Sequence, residues 1–333
     1  MPVVESSSEV SPAPASASYI PAPGAGIEEC WMELDGARMR YLRTQPTDPS
    51  FDKLRTGFLA KEARIGALQT RSETPQPPLI LLHGLLGYSF SWRYTMPALA
   101  PYTTVYAPDL MGAGFSDRPT GLDHSTRGTA KRLLSFIERL GISSFDLLGT
   151  SRGGAVAMMA ADECLNASAR LHLRRLVLVA PVNPYSTHGR RLAPFFGSPF
   201  GSALFRHVIL RTPFSYPYWH SRLYGDRSKI PSEALEGYRA PLSKPGLFEH
   251  ALSIASTWTA DLRELQTTLP KLAKIPTLLM WGSKDSAVYA SSAAPLAKHF
   301  PNSEVIIFPG VGHLPYEECP DEFNRELIEF LTS

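Results

Sequence analysis

The 333-residue chain is short of cysteine, of net charge and of long uncharged apolar runs, and each shortage removes a class of protein. Its three cysteines, Cys30, Cys164 and Cys319, are odd in number, far apart and without metal-ligand spacing. A disulfide-rich scaffold and a cysteine metal site are thereby excluded, and ordinary reduced thiols fit a cytoplasmic protein. The net charge is +2 with the basic residues reading as scattered, which leaves no footprint for nucleic acid or an anionic membrane surface. No uncharged apolar run reaches the roughly 20 residues that cross a bilayer, so no stable membrane insertion is expected. The opening MPVVESSSEV places Glu5 where a signal peptide has Lys or Arg, and no continuous apolar core follows. Residues 1–26, rich in Ala, Ser and Pro, read as a disordered tail.

What is present is apolar bulk, 44% of the residues against 19% charged, enough for a sizeable core. EECWMEL and RMRYLRT flank Asp35-Gly36 and predict a leading hairpin. The polar stretch 45–77 is long for a connection and reads as a surface insertion. Thereafter apolar runs alternate with amphipathic stretches: LILL (79–82), TTVYA (103–107), FDLL (145–148), LVLVA (176–180), TLLMW (277–281) and VIIF (305–308). Runs without period-two alternation, each followed by a helical pattern, predict strands buried on both faces. TAKRLLSFIERLG predicts a helix with Leu133, Leu134, Ile137 and Leu140 on one face and Gly141 at its end. The expected class is α/β, a mostly parallel central sheet with helices on both faces. Between 183 and 262 the alternation gives way to an aromatic, Pro-rich segment, which predicts an inserted helical cap over the ligand-binding edge of the sheet. Residues 27–182 and 263–333 are then the expected core.

The chemistry concentrates after the strands. Gly149-Thr150-Ser151-Arg152-Gly153 matches G-x-S-x-G between a buried run and the helix-compatible AVAMMAA. A turn that sharp from strand to helix crowds its flanks, so glycines surround the serine and Oγ stands above the sheet. A serine needs a base, and the base needs an orienting acid. His313 in VIIFPGVGHLPYEE follows the last run, and Asp285 in TLLMWGSKDSAV follows the one before. An acid after the preceding run is not available, because VAPVNP carries the non-ionisable Asn183. In LILLHGLLG, the amide of Leu85 is expected beside that of Arg152 as an oxyanion hole, with His83 holding the loop shape. Gly112-x-Gly114 in PDLMGAGFSDRP lacks a third glycine and a following helix, so it reads as a structural turn with Asp109 bonding backbone N–H groups.

LLHGLLG, YAPDLMGAGFSDRP, LLGTSRGG, WGSKD and GVGHLPYEE, in that order, resemble the α/β-hydrolase superfamily, and within it the capped members related to epoxide hydrolases, haloalkane dehalogenases and carbon-carbon bond hydrolases. The resemblance covers residues 27–333 apart from the insertion. It departs at one decisive place: epoxide hydrolases and dehalogenases use an Asp nucleophile where this chain has Ser151, and HGLLG lacks the proline usual in epoxide hydrolases. The resemblance thus implies a serine hydrolase; its mechanism requires no metal or organic cofactor, and a monomer or homodimer acting on a small ester is expected. Phe214, Tyr218, Trp219 and Trp258 of the cap are the expected substrate-binding aromatics, which favours esters with apolar acyl or aromatic groups. The alternatives are a carbon-carbon bond hydrolase of the meta-cleavage type and a hydrolase-like small-molecule receptor.

Overall fold

The computed structural model describes residues 26–44, 76–166, 170–187, 192–207 and 215–333. All but the last residue of the expected N-terminal tail and all but the end of the insertion lie outside these residues.

Eight strands form one sheet in the order β1-β2-β4-β3-β5-β6-β7-β8. The hairpin β1 (Ile27–Leu34) and β2 (Ala37–Thr44) lies at one edge. Its two-residue turn is closed by Asp35 and Gly36 at φ 55 and 77, values that match the right-handed twist of the flanking strands. β2 pairs antiparallel with β4 (Val105–Pro108), and from there the sheet is parallel. β3 (Leu79–Leu82), β5 (Ser144–Thr150), β6 (His172–Val179), β7 (Thr277–Gly282) and β8 (Ser303–Phe308) complete it.

The strand order reverses at β3, which has β4 on one side and β5 on the other. Such a reversal leaves a crevice outside the carboxyl ends of the strands. Successive strand residues alternate between two cores. Ile80, Leu82, Leu147, Leu176, Leu178, Leu279 and Trp281 face α2 (Thr126–Arg139), α3 (Arg152–Asn166) and the end of α8 (Leu247–Thr268). Leu79, Leu81, Leu148, Val177, Val179, Leu278 and Met280 face α1 (Thr95–Leu99) and α11 (Pro320–Thr332).

Two expectations need correction. The α2 helix starts earlier than its apolar pattern implied, because Ser125 accepts from Gly128 N and caps it. Its fully buried stripe is Ala130, Leu133, Phe136 and Ile137, while Leu134 and Leu140 are only partly covered. The VIIF run of β8 is not covered on both faces: as the last strand it leaves Val305 and Ile307 exposed.

Between β6 and β7 the described chain forms α4 (Leu192–Gly197), α5 (Pro199–His207), α6 (Ser215–Ser221), α7 (Ala234–Arg239) and α8. The α8 helix runs unbroken past residue 262, so the expected boundary there falls inside a helix whose Leu265 belongs to the core. Tyr88, Phe90 and Phe115, from the loops after β3 and β4, pack against Tyr238 of α7. Tyr88 also donates its hydroxyl to Gly237 O at 2.7 Å.

The loop after β4 is organised by one buried carboxylate. Asp109 accepts from Ser89 N at 2.8 Å, Phe115 N at 2.9 Å and Arg40 Nη1 at 3.2 Å. Replacing Asp109 by Ala removes from the fully buried Arg40 one of the two carboxylates, Asp109 and Glu29, that it meets among the described residues. We expect Asp109→Ala to cost about 3–5 kcal/mol in urea unfolding, and a loss below about 1 kcal/mol would refute this account of the loop.

Candidate active site

Ser151 sits between β5 and α3 with φ 53. A non-glycine residue in this region is strained and persists only where its surroundings fix it. Here they do: Ser151 N donates to Val179 O at 2.9 Å, and Ser151 O accepts from Gly154 N at 3.0 Å and Val182 N at 2.8 Å. The turn requires backbones to touch. A Cβ on Gly153 would meet His83 O at 2.5 Å, and one on Gly149 would meet Gly153 O at 2.3 Å.

Because Leu82 pairs with Gly149, the residues that follow the two strands are also neighbours. A Cβ on Gly84 would meet Ser151 Cβ at 3.1 Å. The next amide, that of Leu85, and the first amide of α3, that of Arg152, form no backbone hydrogen bond among the described residues. Two free N–H groups beside a serine at a helix N-terminus suit a developing negative charge. The loop between them is held by His83, whose Nε2 accepts from Leu110 N at 3.0 Å while Nδ1 donates to Gly84 O at 2.8 Å. Burial lowers the pKa of His83, in keeping with a neutral ring.

Asp285 and His313 follow β7 and β8, and both are buried. Asp285 Oδ2 accepts from His313 Nδ1 at 2.7 Å, and Oδ1 accepts from Ala287 N at 2.8 Å and Val288 N at 2.9 Å. The carboxylate is thus fixed from two sides and leaves Nε2 as the free ring nitrogen of His313. Among the described residues no hydrogen bond joins Ser151 Oγ to His313, as is common in unliganded sites, where such contacts tighten only on substrate binding. Asn183 is used otherwise: it donates to Pro181 O and Ser292 Oγ and accepts from Tyr185 N.

The pattern of residues did not disclose Glu318. It accepts from Gly312 N at 2.8 Å, Gly225 N at 2.9 Å and Asp226 N at 2.8 Å, and so ties the His313 loop to the segment after α6. His313 N donates to Leu223 O of the same segment at 2.6 Å. Its neighbour Glu317 accepts from Arg93 Nη2 at 2.9 Å, from Tyr224 OH at 2.6 Å and from Tyr238 OH. Two adjacent carboxylates, with partners far away in sequence, fasten the helices between β6 and β7 to the histidine loop. A pair of glutamates at the start of a helix carries no signal of this.

The expected substrate aromatics separate. Phe214 lies outside the described residues. Tyr218 and Trp219 are 51% and 58% exposed and meet edge to face, so neither is a wall of an enclosed site. Trp258 lines a cavity, with Thr126, Arg152, Val182 and Asp261. That cavity lies beneath α8 beside the first turn of α3, and Ser151, Asp285 and His313 do not line it. The Arg152 side chain, to which the elbow motif gives no role, donates to His124 O at 2.9 Å and Thr129 Oγ1 at 3.1 Å. Burial lowers its pKa to about 10.

A sharp strand–serine–helix elbow at the reversal of a parallel sheet, with an Asp-His pair behind the last two strands, defines a doubly wound α/β protein of the hydrolase type. The chain belongs to the alpha/beta hydrolase fold family, whose model matches residues 77–320. It is similar to Haloalkane dehalogenase 2 of Mycobacterium tuberculosis, at 28% identity over 272 residues that span 79% of this chain and 91% of that protein. An uncharacterized hydrolase of Bacillus subtilis is 25% identical over 257 residues, covering 76% of this chain and 89% of its own. Among solved structures, the epoxide hydrolase CorEH superposes with a TM-score of 0.69 at 22% identity, covering 92% of this chain and 99% of that one. The meta-cleavage product hydrolase CumD does so at 0.68 and 23%, covering 91% and 97%. At those identities the two structures speak for the fold. Members of the family are hydrolases, and this chain is one of them.

His124 and His250 face each other at 2.9 Å between Nδ1 atoms. Burial, then the Arg152 charge and the neighbouring His124, push the His250 pKa down to about 2. Folded His250 is therefore neutral across a range where the unfolded chain, with an ordinary value near 6.5, takes up a proton. Its destabilising effect is absent at neutral pH and grows as pH falls below 6.5, at up to about 1.4 kcal/mol per pH unit. Urea midpoints measured from pH 7 down to pH 4.5 should fall more gently in His250→Gln than in the wild type. Parallel slopes would place the proton uptake elsewhere.

Proposed function

We propose that this hydrolase is a serine carboxylesterase acting on esters with apolar acyl or aromatic groups. The observation that carries the proposal is a serine held at φ 53 in the elbow, together with a histidine after the last strand already oriented by a buried aspartate.

The mechanism follows from the groups present. His313 Nε2 takes the Ser151 proton as Oγ attacks the ester carbonyl, and Asp285 holds the tautomer and stabilises the imidazolium. The amides of Leu85 and Arg152 receive the oxyanion. His313 returns the proton to the leaving alcohol, and a water activated by the same nitrogen releases the acid.

The identity of the nucleophile selects the substrate class. A serine that displaced a halide or opened an epoxide would form an alkyl ether, which water does not cleave at neutral pH. A serine that attacks a carbonyl forms an acyl ester, which water does cleave. The similarity to a named dehalogenase therefore does not extend to its substrate. The aromatic cluster of Tyr88, Phe90, Phe115 and Tyr238 beside the oxyanion loop supports an apolar acyl or aromatic group. In this reading, the helices between β6 and β7 serve as a cap, and among the described residues Trp258, whose cavity none of Ser151, Asp285 and His313 lines, is the expected aromatic kept as a candidate for a substrate contact.

Hydrolysis of a p-nitrophenyl ester series from acetate to palmitate tests the assignment. We expect turnover by the wild type, a drop in kcat of about 10⁴- to 10⁶-fold in Ser151→Ala, and one near 10⁴-fold in Asp285→Asn. Wild-type protein inert on every ester, but active on a vinylogous diketone, would move the assignment to carbon-carbon bond hydrolysis. Because Glu318 acts only through the loop it anchors, Glu318→Ala should lower kcat by about 10- to 100-fold. KM should stay within about twofold, and Glu318→Gln should restore part of the rate.

A further inference from the structure

Large apolar side chains left in water gather on the short helices between β6 and β7. Phe195, Phe200 and Leu204 of α4 and α5 are 39%, 73% and 37% exposed, and Tyr218 and Trp219 of α6 are more than half exposed. The rings sit in pairs: Phe195 with Phe200 at 6.2 Å between centroids, and Tyr218 with Trp219 at 5.5 Å.

The same part of the chain is basic. No Asp or Glu occurs from Cys164 to Gly225. Residues 188–229 hold seven of the 33 Lys and Arg but one of the 31 Asp and Glu, which leaves 26 basic against 30 acidic residues for the rest of the chain. The scattered charge expected from the overall +2 is corrected by this count: a positive segment rides on a slightly negative body. Among the described residues Arg222, Arg227 and Lys229 are exposed, and the Arg222 guanidinium lies 5.9 Å from the Tyr218 ring centroid.

We infer that the outer surface of α4, α5 and α6, with the turn 222–229, docks the protein peripherally on an anionic phospholipid surface. Exposed rings enter the boundary between headgroups and acyl chains, while Arg and Lys meet the lipid phosphates above them. No described helix is long and apolar enough to cross a membrane, so the contact is confined to one leaflet. Two copies of this chain meeting through the surface would set like charges against each other, which disfavours a dimer there.

Flotation of the full chain with vesicles tests the inference, using phosphatidylcholine alone and phosphatidylcholine with about 30% phosphatidylglycerol. We expect co-flotation with the anionic vesicles only, abolished at about 0.5 M salt. Partitioning should weaken at least about tenfold in Arg227→Glu with Lys229→Glu, and also in Phe200→Ser with Trp219→Ser. All of these side chains are exposed, and thermal unfolding should stay at the wild-type midpoint. Failure to float with the anionic vesicles overturns the inference, as does flotation that neither pair of substitutions weakens. Self-association in sedimentation velocity, without vesicle binding and lost in Phe200→Ser with Trp219→Ser, would assign the surface to a second copy instead.

Discussion

The constraint on which this structure turns is the near-contact of three backbones at the ends of β3 and β5. The pairing of Leu82 with Gly149 brings the loop after β3 against the first turn of α3. That approach is possible only where side chains are absent, since a Cβ on Gly153 would stand 2.5 Å from His83 O. Once it is made, Ser151 is held in its positive-φ conformation and Gly84, which precedes Leu85, comes against its side chain. The strain at one residue is sustained by the hydrogen bonds that Ser151 exchanges with Val179, Val182 and Gly154.

A second layer of order is electrostatic, and it rests on four buried or nearly buried carboxylates. Asp109 shapes the loop after β4, Asp285 orients His313, Glu317 takes up the Arg93 charge, and Glu318 closes the histidine loop. In each case the cost of desolvating the charge is offset by two or more hydrogen bonds, the condition under which buried ions are tolerated. The partners of Glu317 and Glu318 include Tyr224, Tyr238, Gly225 and Asp226, so the segment between β6 and β7 and the loop that carries His313 are fastened at the same place. The geometry around His313 therefore depends on a part of the chain far from it in sequence.

The charge of the whole chain conceals its distribution. A sum near zero arises from a basic, aromatic segment and an acidic remainder, and only exposure shows that several rings of that segment face outward. Tyr218 and Trp219 illustrate the consequence. As letters in an aromatic run they read as pocket lining, whereas the fold turns them to solvent.

The sequence by itself determined the α/β class, the strands, the hairpin turn at Asp35-Gly36 and the positions of Ser151, Asp285 and His313 relative to strand ends. Local chemistry suffices for these, because a buried strand needs a continuous apolar run and an elbow needs glycines at fixed offsets. Tertiary structure alone decided the exposure of β8, the continuity of α8 past residue 262, the clamp by Glu318, the burial of the Arg152 side chain and the outward face of α6. Each of these depends on what a residue meets from a distant part of the chain. The edge position of a strand is set by the order of the others, and a glutamate becomes an anchor only when three amides from two loops converge on it.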